Sequence, residues 1–223
     1  MARAAASGAR RRADPDDDGA RRAGRPAQGR ELRARGQRTL RKLLDAGTQV
    51  FETRGYHQAR VDDVVKLART SHGTFYLYFA NKEDLFAALV AEVGTAMHER
   101  AEALPRLAPG PAGTAALREW VASLADVYDK YAPVIVAWTE AEIGESNFGR
   151  MGDDLIADLA GALARRIRAV GSDSIDPQVA ALALVAMIER LLYYAVTRQV
   201  HVEREAMIDT LATVTHTSIC TEG

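Results

Sequence analysis

The sequence predicts an all-α protein of about nine helices, with three short helices near the front and a larger helical domain behind them. Three observations support this fold class. Apolar residues recur three and four positions apart along most of residues 35–219, as on one face of a helix. Capping residues, Gly and Pro divide these stretches into separate helices. We find no stretch of note in which apolar and polar residues alternate as in a half-buried strand.

The charge of the chain is unevenly distributed. Residues 1–42 hold 13 Lys and Arg against 5 Asp and Glu, whereas residues 43–223 hold 16 against 25. A basic front on an acidic body favours an arm that binds a polyanion. Residues 1–34 are rich in Ala, Arg, Gly, Pro and Asp, so we expect a disordered arm, with a merely solubilising tail as the alternative.

The first three helices follow the arm. The first runs from Arg35 along an apolar face and ends at Gly55, a residue typical of helix ends. A two-turn helix follows over Val61 to Ala68. Ser71 is placed to cap a third short helix through Phe79.

The larger domain begins at a capping pair formed by Asn81 and Asp84. We expect Pro133 to start a separate short helix and residues 144–152 to form a loop. Asp176 and Pro177 mark the start of a nearly apolar helix, and a last helix runs to Ile219. The predicted boundaries are an arm at 1–34, a front domain at 35–82 and a rear domain at 83–223.

The second and third helices are separated by three residues, Arg69 to Ser71. This spacing is typical of a helix-turn-helix, whose second helix lies in the major groove of DNA. A helical hairpin inside a bundle has the same pattern and remains the alternative.

The segment from Leu43 to Val90 resembles the DNA-binding domain of TetR-type transcriptional regulators. The resemblance rests on a combination of short motifs: Leu44-Asp45-Ala46, Phe51, Arg54-Gly55-Tyr56, Val61, Gly73-Thr74-Phe75-Tyr76, Tyr78-Phe79, Lys82-Glu83 and Leu85-Phe86. It implies a homodimer that binds a palindromic operator in double-stranded DNA. It also implies a rear domain that binds a small-molecule effector and thereby releases the DNA.

Ten residues are candidates for contacting DNA. Small donors, a glycine that permits close approach, hydroxyl-bearing rings and cations are the groups that hold phosphates and base edges. The candidates are Arg60, Arg69, Ser71, His72, Gly73, Thr74, Tyr76, Tyr78, Lys82 and Arg25. Phe75 and Phe79 are expected in the core instead.

Some candidates depart from the pattern of the family. Arg60 stands where a capping Thr is usual, and Arg69 stands where Gly is common in the turn. A left-handed backbone at Arg69 would cost roughly 1 kcal/mol. Arg25 lies in a Gly-Arg-Pro sequence that suits a narrow minor groove, although the uninvolved tail remains the alternative.

The rear domain is rich in aromatic residues and Met, which suggests an apolar cavity for a hydrophobic or amphipathic effector. The candidate ligand-binding residues are Trp120, Tyr128, Tyr131, Trp138, Phe148, Met151, Met187 and Tyr194. The same residue types at helical spacing also serve as plain core. The last two helices have the wide apolar surface expected of a dimer interface.

Enzymatic and metal-binding functions are not indicated. Glu140, Glu142 and Glu145 cluster without a His partner or metal-ligand spacing, and no nucleophile elbow is present. We therefore expect no catalytic residues, no metal and no cofactor. A single Cys fits the cytoplasm, and no stretch approaches the apolar length of a membrane span. A regulator that stays on DNA without an effector, or an activator, is the alternative function.

Overall fold

The computed structural model describes residues 34–142, 146–171 and 175–220. These residues form eight α-helices and no strand, so the all-α prediction is confirmed. The helices are α1 (Ala34–Gln58), α2 (Val61–Leu67), α3 (His72–Tyr78), α4 (Lys82–Glu102), α5 (Pro111–Glu142), α6 (Ser146–Val170), α7 (Pro177–Val196) and α8 (Arg204–Ile219).

Capping side chains begin the helices where the sequence predicts. Ser71 accepts a hydrogen bond from the Thr74 N–H, and Asn81 accepts one from the Asp84 N–H. Asp176 caps α7 ahead of Pro177 at the first helical position. Each of these bonds satisfies an N–H that the helix itself leaves without a partner.

Gly55 interrupts the end of α1. Its φ of 70° and ψ of 172° are not helical, and only glycine adopts this region readily. The chain turns here and places Tyr56 in the core, with the side chain 2% exposed. The predicted stop at Gly55 is thus a break, after which α1 continues for one short turn.

The long helix α5 lies at the centre of the molecule. It packs against α1, α4, α6, α7 and α8, so it joins the front helices to the rear domain. Pro133 lies inside this helix and does not begin a new one, which corrects our expectation. A proline inside a helix removes one hydrogen bond, but Val134 and Trp138 are both buried and hold the helix against its neighbours.

The expected loop at residues 144–152 is also wrong for most of its length. Helix α6 already begins at Ser146, and Phe148 in its first turn is buried. Burial of this ring stabilises the start of the helix. The two glycines near this start disfavour a helix, so the sequence pattern did not indicate it. The inclusion of Pro133 within α5 merges two expected helices, which accounts for eight described helices where we expected about nine.

Helix α7 is unusually apolar. By length and composition, it is the one helix within the described residues that could cross a bilayer, which differs from our expectation that no stretch would approach this limit. It packs against α6 and α5 and carries Glu189 and Arg190. Val179 and Leu182 on the same helix are exposed. A helix that is apolar beyond its buried side favours a second protein surface as its neighbour.

Candidate nucleic-acid interface and ligand cavity

The turn between α2 and α3 has the tight geometry of a helix-turn-helix. Arg69 has a φ of 52°, so the backbone at this position of the turn is left-handed. The Thr70 N–H donates to the Val65 carbonyl at 3.0 Å and closes the turn. A side chain in this conformation costs roughly 1 kcal/mol. Arg69 carries this cost, and it is exposed to solvent.

Helix α3 presents an exposed face that no other described helix covers. Tyr76 is 51% and Leu77 is 63% exposed. A Cβ built at Gly73 would lie 3.8 Å from the Ser71 Oγ, an ordinary contact, so the fold itself does not require glycine at this position. A requirement for glycine here would therefore come from a surface that approaches from outside.

His72 is already engaged within the domain. Its Nε2 lies 2.6 Å from Asp62 Oδ1, which links the start of α3 to α2. Both side chains are exposed. The contact orients the imidazole and leaves the other ring nitrogen available to an external partner.

Three aromatic residues of α3 and its end lie in the core. Phe75 and Phe79 are fully buried, as expected, with ring centroids 5.6 Å apart. Tyr78, whose hydroxyl we expected to hold a phosphate oxygen, is only 8% exposed. It lies on the same side of the helix as Phe75 because residues three apart share a helix face.

Lys82 in the first turn of α4 is tied to the end of α1. Its Nζ donates to the Tyr56 carbonyl at 3.0 Å and lies 4.6 Å from the centre of the Tyr56 ring. An ammonium has three donors, so a phosphate contact would use those that remain. The Lys82 charge is thereby held at a defined place beside α3.

Four cations surround a cleft between α1 and the turn. Its volume is about 390 Å³, and Thr39, Thr70 and Thr74 also line it. The cations are Arg35, Arg38, Lys42 and Arg69. None of them has an ion pair with a described residue, and all are exposed. We call this feature the basic cleft. Cations without internal partners are available to phosphate.

Sequence reasoning missed three members of the basic cleft, Arg35, Arg38 and Lys42. Their spacing of three and four residues, which places them on one side of α1, was the available signal. Arg60 precedes α2, is exposed and makes no capping hydrogen bond, as expected of Arg. Arg25 lies outside the described residues.

A cavity of about 170 Å³ opens among α4, α5, α6 and α7. Tyr128 and Trp138, two of the candidate ligand-binding residues, line it. The other lining residues are Val93, Met97, Ile135, Thr139, Gly152, Leu155, Ile156, Leu159, Val185, Glu189 and Arg190. Burial raises the pKa of Glu189, and burial together with the nearby Glu189 charge raises the pKa of Tyr128.

The remaining candidates do not line this cavity. Trp120 donates its indole N–H to the Arg100 carbonyl, and Tyr131 borders a separate surface cleft. Tyr194 lies beside Arg190, while Met151 and Met187 are half-buried elsewhere in the packing. Residue spacing cannot distinguish these positions, because a helix apolar on two sides packs aromatic rings on both.

Phe148 belongs to a junction between the cavity and the front helices. Its ring centroid lies 5.8 Å from that of Tyr56 and 5.1 Å from that of Phe86. Its carbonyl accepts the indole N–H of Trp138 at 3.0 Å. Aromatic contacts of this kind contribute specific geometry as well as buried area.

Glu140 completes the junction. Its Oε2 accepts the Tyr56 N–H at 2.8 Å, and its backbone carbonyl lies 3.0 Å from His57 Nε2. A Cβ at Gly55 would lie 2.5 Å from the same Oε2, so the glycine leaves room for the carboxylate in this position. We call Tyr56, Phe86, Glu140 and Phe148 the junction cluster. Within this cluster, Glu140 directly follows Trp138 and Thr139, which line the cavity.

Comparisons with known proteins agree with this geometry. Residues 43–89 match the family described as bacterial regulatory proteins, tetR family. The chain is 41% identical over 61 residues to a fatty acid metabolism regulator protein of Bacillus subtilis, a match that covers 27% of this chain and 31% of the relative. It is 28% identical over 120 residues to the HTH-type transcriptional repressor NicS of Pseudomonas putida, covering 54% and 56%.

Solved structures extend the similarity to the rear domain at the level of the fold. GusR of Salmonella enterica superposes with a TM-score of 0.64 at 20% identity over 88% of this chain and all of that one. A tetR-family transcriptional regulator of Streptomyces coelicolor gives 0.66 at 15% identity, over 82% and 80%.

The chain matches only about a third of the length of the first curated relatives. These relatives are described as regulators and not as enzymes. Residues 43–89 therefore carry a helix-turn-helix DNA-binding domain of the tetR family of bacterial regulatory proteins, and an all-α rear domain follows it.

Proposed function

We propose that this protein is a homodimeric repressor that binds a palindromic operator and leaves it when a small effector enters the cavity of the rear domain. The observation that carries the proposal is the junction cluster, because it connects the wall of the cavity to the end of α1 through direct contacts. The cytoplasm, where the DNA lies, is the place of action.

Three features around α3 support the contact with DNA. Tyr76 and Leu77 form an exposed face, Gly73 lets a surface come close, and the basic cleft lies beside them. The polar groups and cations would hold phosphates, whereas an apolar side chain such as Leu77 suits the methyl group of thymine. Arg60 and Lys82 would extend the phosphate contacts on either side.

The junction cluster supports coupling between effector and DNA. A ligand in the cavity meets Trp138, and Trp138 holds Phe148 through a hydrogen bond. Phe148 packs on Tyr56, whose N–H is bonded to Glu140 and whose carbonyl is bonded to Lys82. A shift of Trp138 would therefore reach the backbone on both sides of Tyr56. Half-sites about 34–36 Å apart tolerate little change in the spacing of two front domains.

The exposed apolar residues of the last two helices support a dimer. Val179 and Leu182 of α7 and Val214 of α8 are exposed. A second copy of the chain would cover them in a two-fold interface, and such symmetry matches a palindromic DNA site.

Selection of bound sequences from a random pool of duplex DNA tests the proposal, followed by a footprint on the genomic copy of the selected site. We expect a palindrome protected by a dimer, and protection that is lost when metabolites related to the neighbouring genes are added. Protection that no such compound changes would favour the alternative, a regulator bound to DNA without an effector.

A further inference from the structure

Glu189 brings a carboxylate to the wall of an otherwise apolar cavity. The two charged residues at this wall are Glu189 and Arg190, which are consecutive on α7. Consecutive residues on a helix point about 100° apart, so only one of them is directed well into the cavity. Which of the two it is determines the charge that a ligand meets.

Burial identifies Glu189 as the inner group. Its side chain is 27% exposed, against 55% for Arg190. The Arg190 guanidinium instead lies over the rings of Tyr193 and Tyr194, at 5.3 and 5.8 Å from their centres. A cation placed on aromatic faces is already stabilised where it is.

The carboxylate of Glu189 is poorly satisfied by the protein. Its closest charged partner is Arg190 Nε at 3.6 Å, longer than a hydrogen bond, and the described residues donate no hydrogen bond to it. The Tyr128 hydroxyl, which belongs to another residue of the cavity lining, has no hydrogen bond to a described residue either. Buried and half-buried polar groups left in this state favour a ligand that supplies the missing partners.

The size of the cavity limits the apolar part of that ligand. Its volume is about 170 Å³. A cavity of about 150 Å³ in another protein holds one benzene molecule. The apolar body that fits is therefore one ring or a short branched chain, packed against Met97, Ile135 and Trp138.

We infer that the cavity binds a small organic cation: an apolar body of about one ring, with a protonated amine held by Glu189. The amine supplies N–H donors to the carboxylate and also neutralises its charge. A carboxylate ligand would place two negative charges in one apolar site, which disfavours its ionised form. This inference rests on the proposed function, since it names the chemical class of the effector.

The test uses the full chain and three probes that share one ring, namely benzylamine, benzyl alcohol and benzoate. Their affinities are measured by isothermal titration and by the rise in thermal midpoint. A charge-assisted hydrogen bond predicts that benzylamine binds at least about tenfold more tightly than benzoate. Glu189→Gln should abolish this preference, whereas Arg190→Gln should preserve or increase it.

Equal or tighter binding of benzoate would overturn the inference, as would an amine preference that survives in Glu189→Gln or no binding of benzylamine. The same titrations on the complex with selected DNA separate this inference from the proposed function. If a different class of compound releases the DNA and benzylamine does not bind, the inference about the organic cation is wrong, but the proposed release by an effector stands. If benzylamine binds through Glu189 but the affinity for DNA is unchanged, the inference about the cavity stands. The proposed release of DNA is then contradicted for ligands of this type.

Discussion

Replacing Glu140 by Ala should loosen the end of α1 without unfolding the protein. The substitution removes the 2.8 Å hydrogen bond from the Tyr56 N–H to the Glu140 carboxylate. Hydrogen bonds to charged groups contribute about 1.5–3 kcal/mol, and this one is only partly buried, so we take the lower value of about 1.5 kcal/mol. That free energy corresponds to roughly a tenfold larger equilibrium constant for local opening.

Amide hydrogen exchange of the peptide around Tyr56 and His57 measures this opening directly. We expect about tenfold faster exchange in Glu140→Ala. Glu140→Gln retains an acceptor oxygen and should show a smaller increase. Glu119→Ala is the matched control, because Glu119 is an exposed residue of the same helix. Exchange in Glu140→Ala that equals exchange in Glu119→Ala would refute the role of Glu140 in the junction cluster.

Further predictions concern DNA binding and the dimer. Gly73→Ala should fold at least as stably as the parent, because Ala favours a helix by up to about 1 kcal/mol. It should nevertheless bind the selected DNA more weakly in a gel-shift titration. Unchanged affinity would mean that no surface approaches Gly73. Arg38→Gln should reduce the slope of log K against log salt by about 0.9, while Arg106→Gln on the rear domain should leave the slope unchanged. Deletion of residues 1–30 should also reduce this slope, and an identical slope would exclude contacts from the arm. Leu182→Asp should turn the dimer into a monomer in light scattering, and a dimer that persists would place the interface elsewhere.

The sequence was most informative where local chemistry determines structure. Ser71, Asn81 and Asp176 cap their helices as predicted, because a cap depends on residues within one turn. The left-handed backbone at Arg69 agrees with the resemblance to the family, in which Gly is common at this position of the turn. Phe75 and Phe79 were recognisable as core residues of the helix-turn-helix.

Features that depend on distant residues were not predictable. Pro133 lies inside α5, and α1 and α8 from the two ends of the chain pack on this helix. Such packing can override local helix preference, and it is not visible in the residues next to the proline. The contact of Glu140 with Tyr56 joins residues 84 positions apart. Likewise, two of the eight candidate ligand-binding residues line the cavity, since aromatic residues at helical spacing fill the core equally well.

A footprint of the full chain on a selected duplex, together with the stoichiometry of the complex, tests the central claim most directly. We predict sequence-specific protection of a palindrome by two copies of the chain, with half-site centres about 34–36 Å apart and affinity that falls steeply as salt rises. Protection that shows no sequence preference, or a single copy bound to an asymmetric site, would contradict the account.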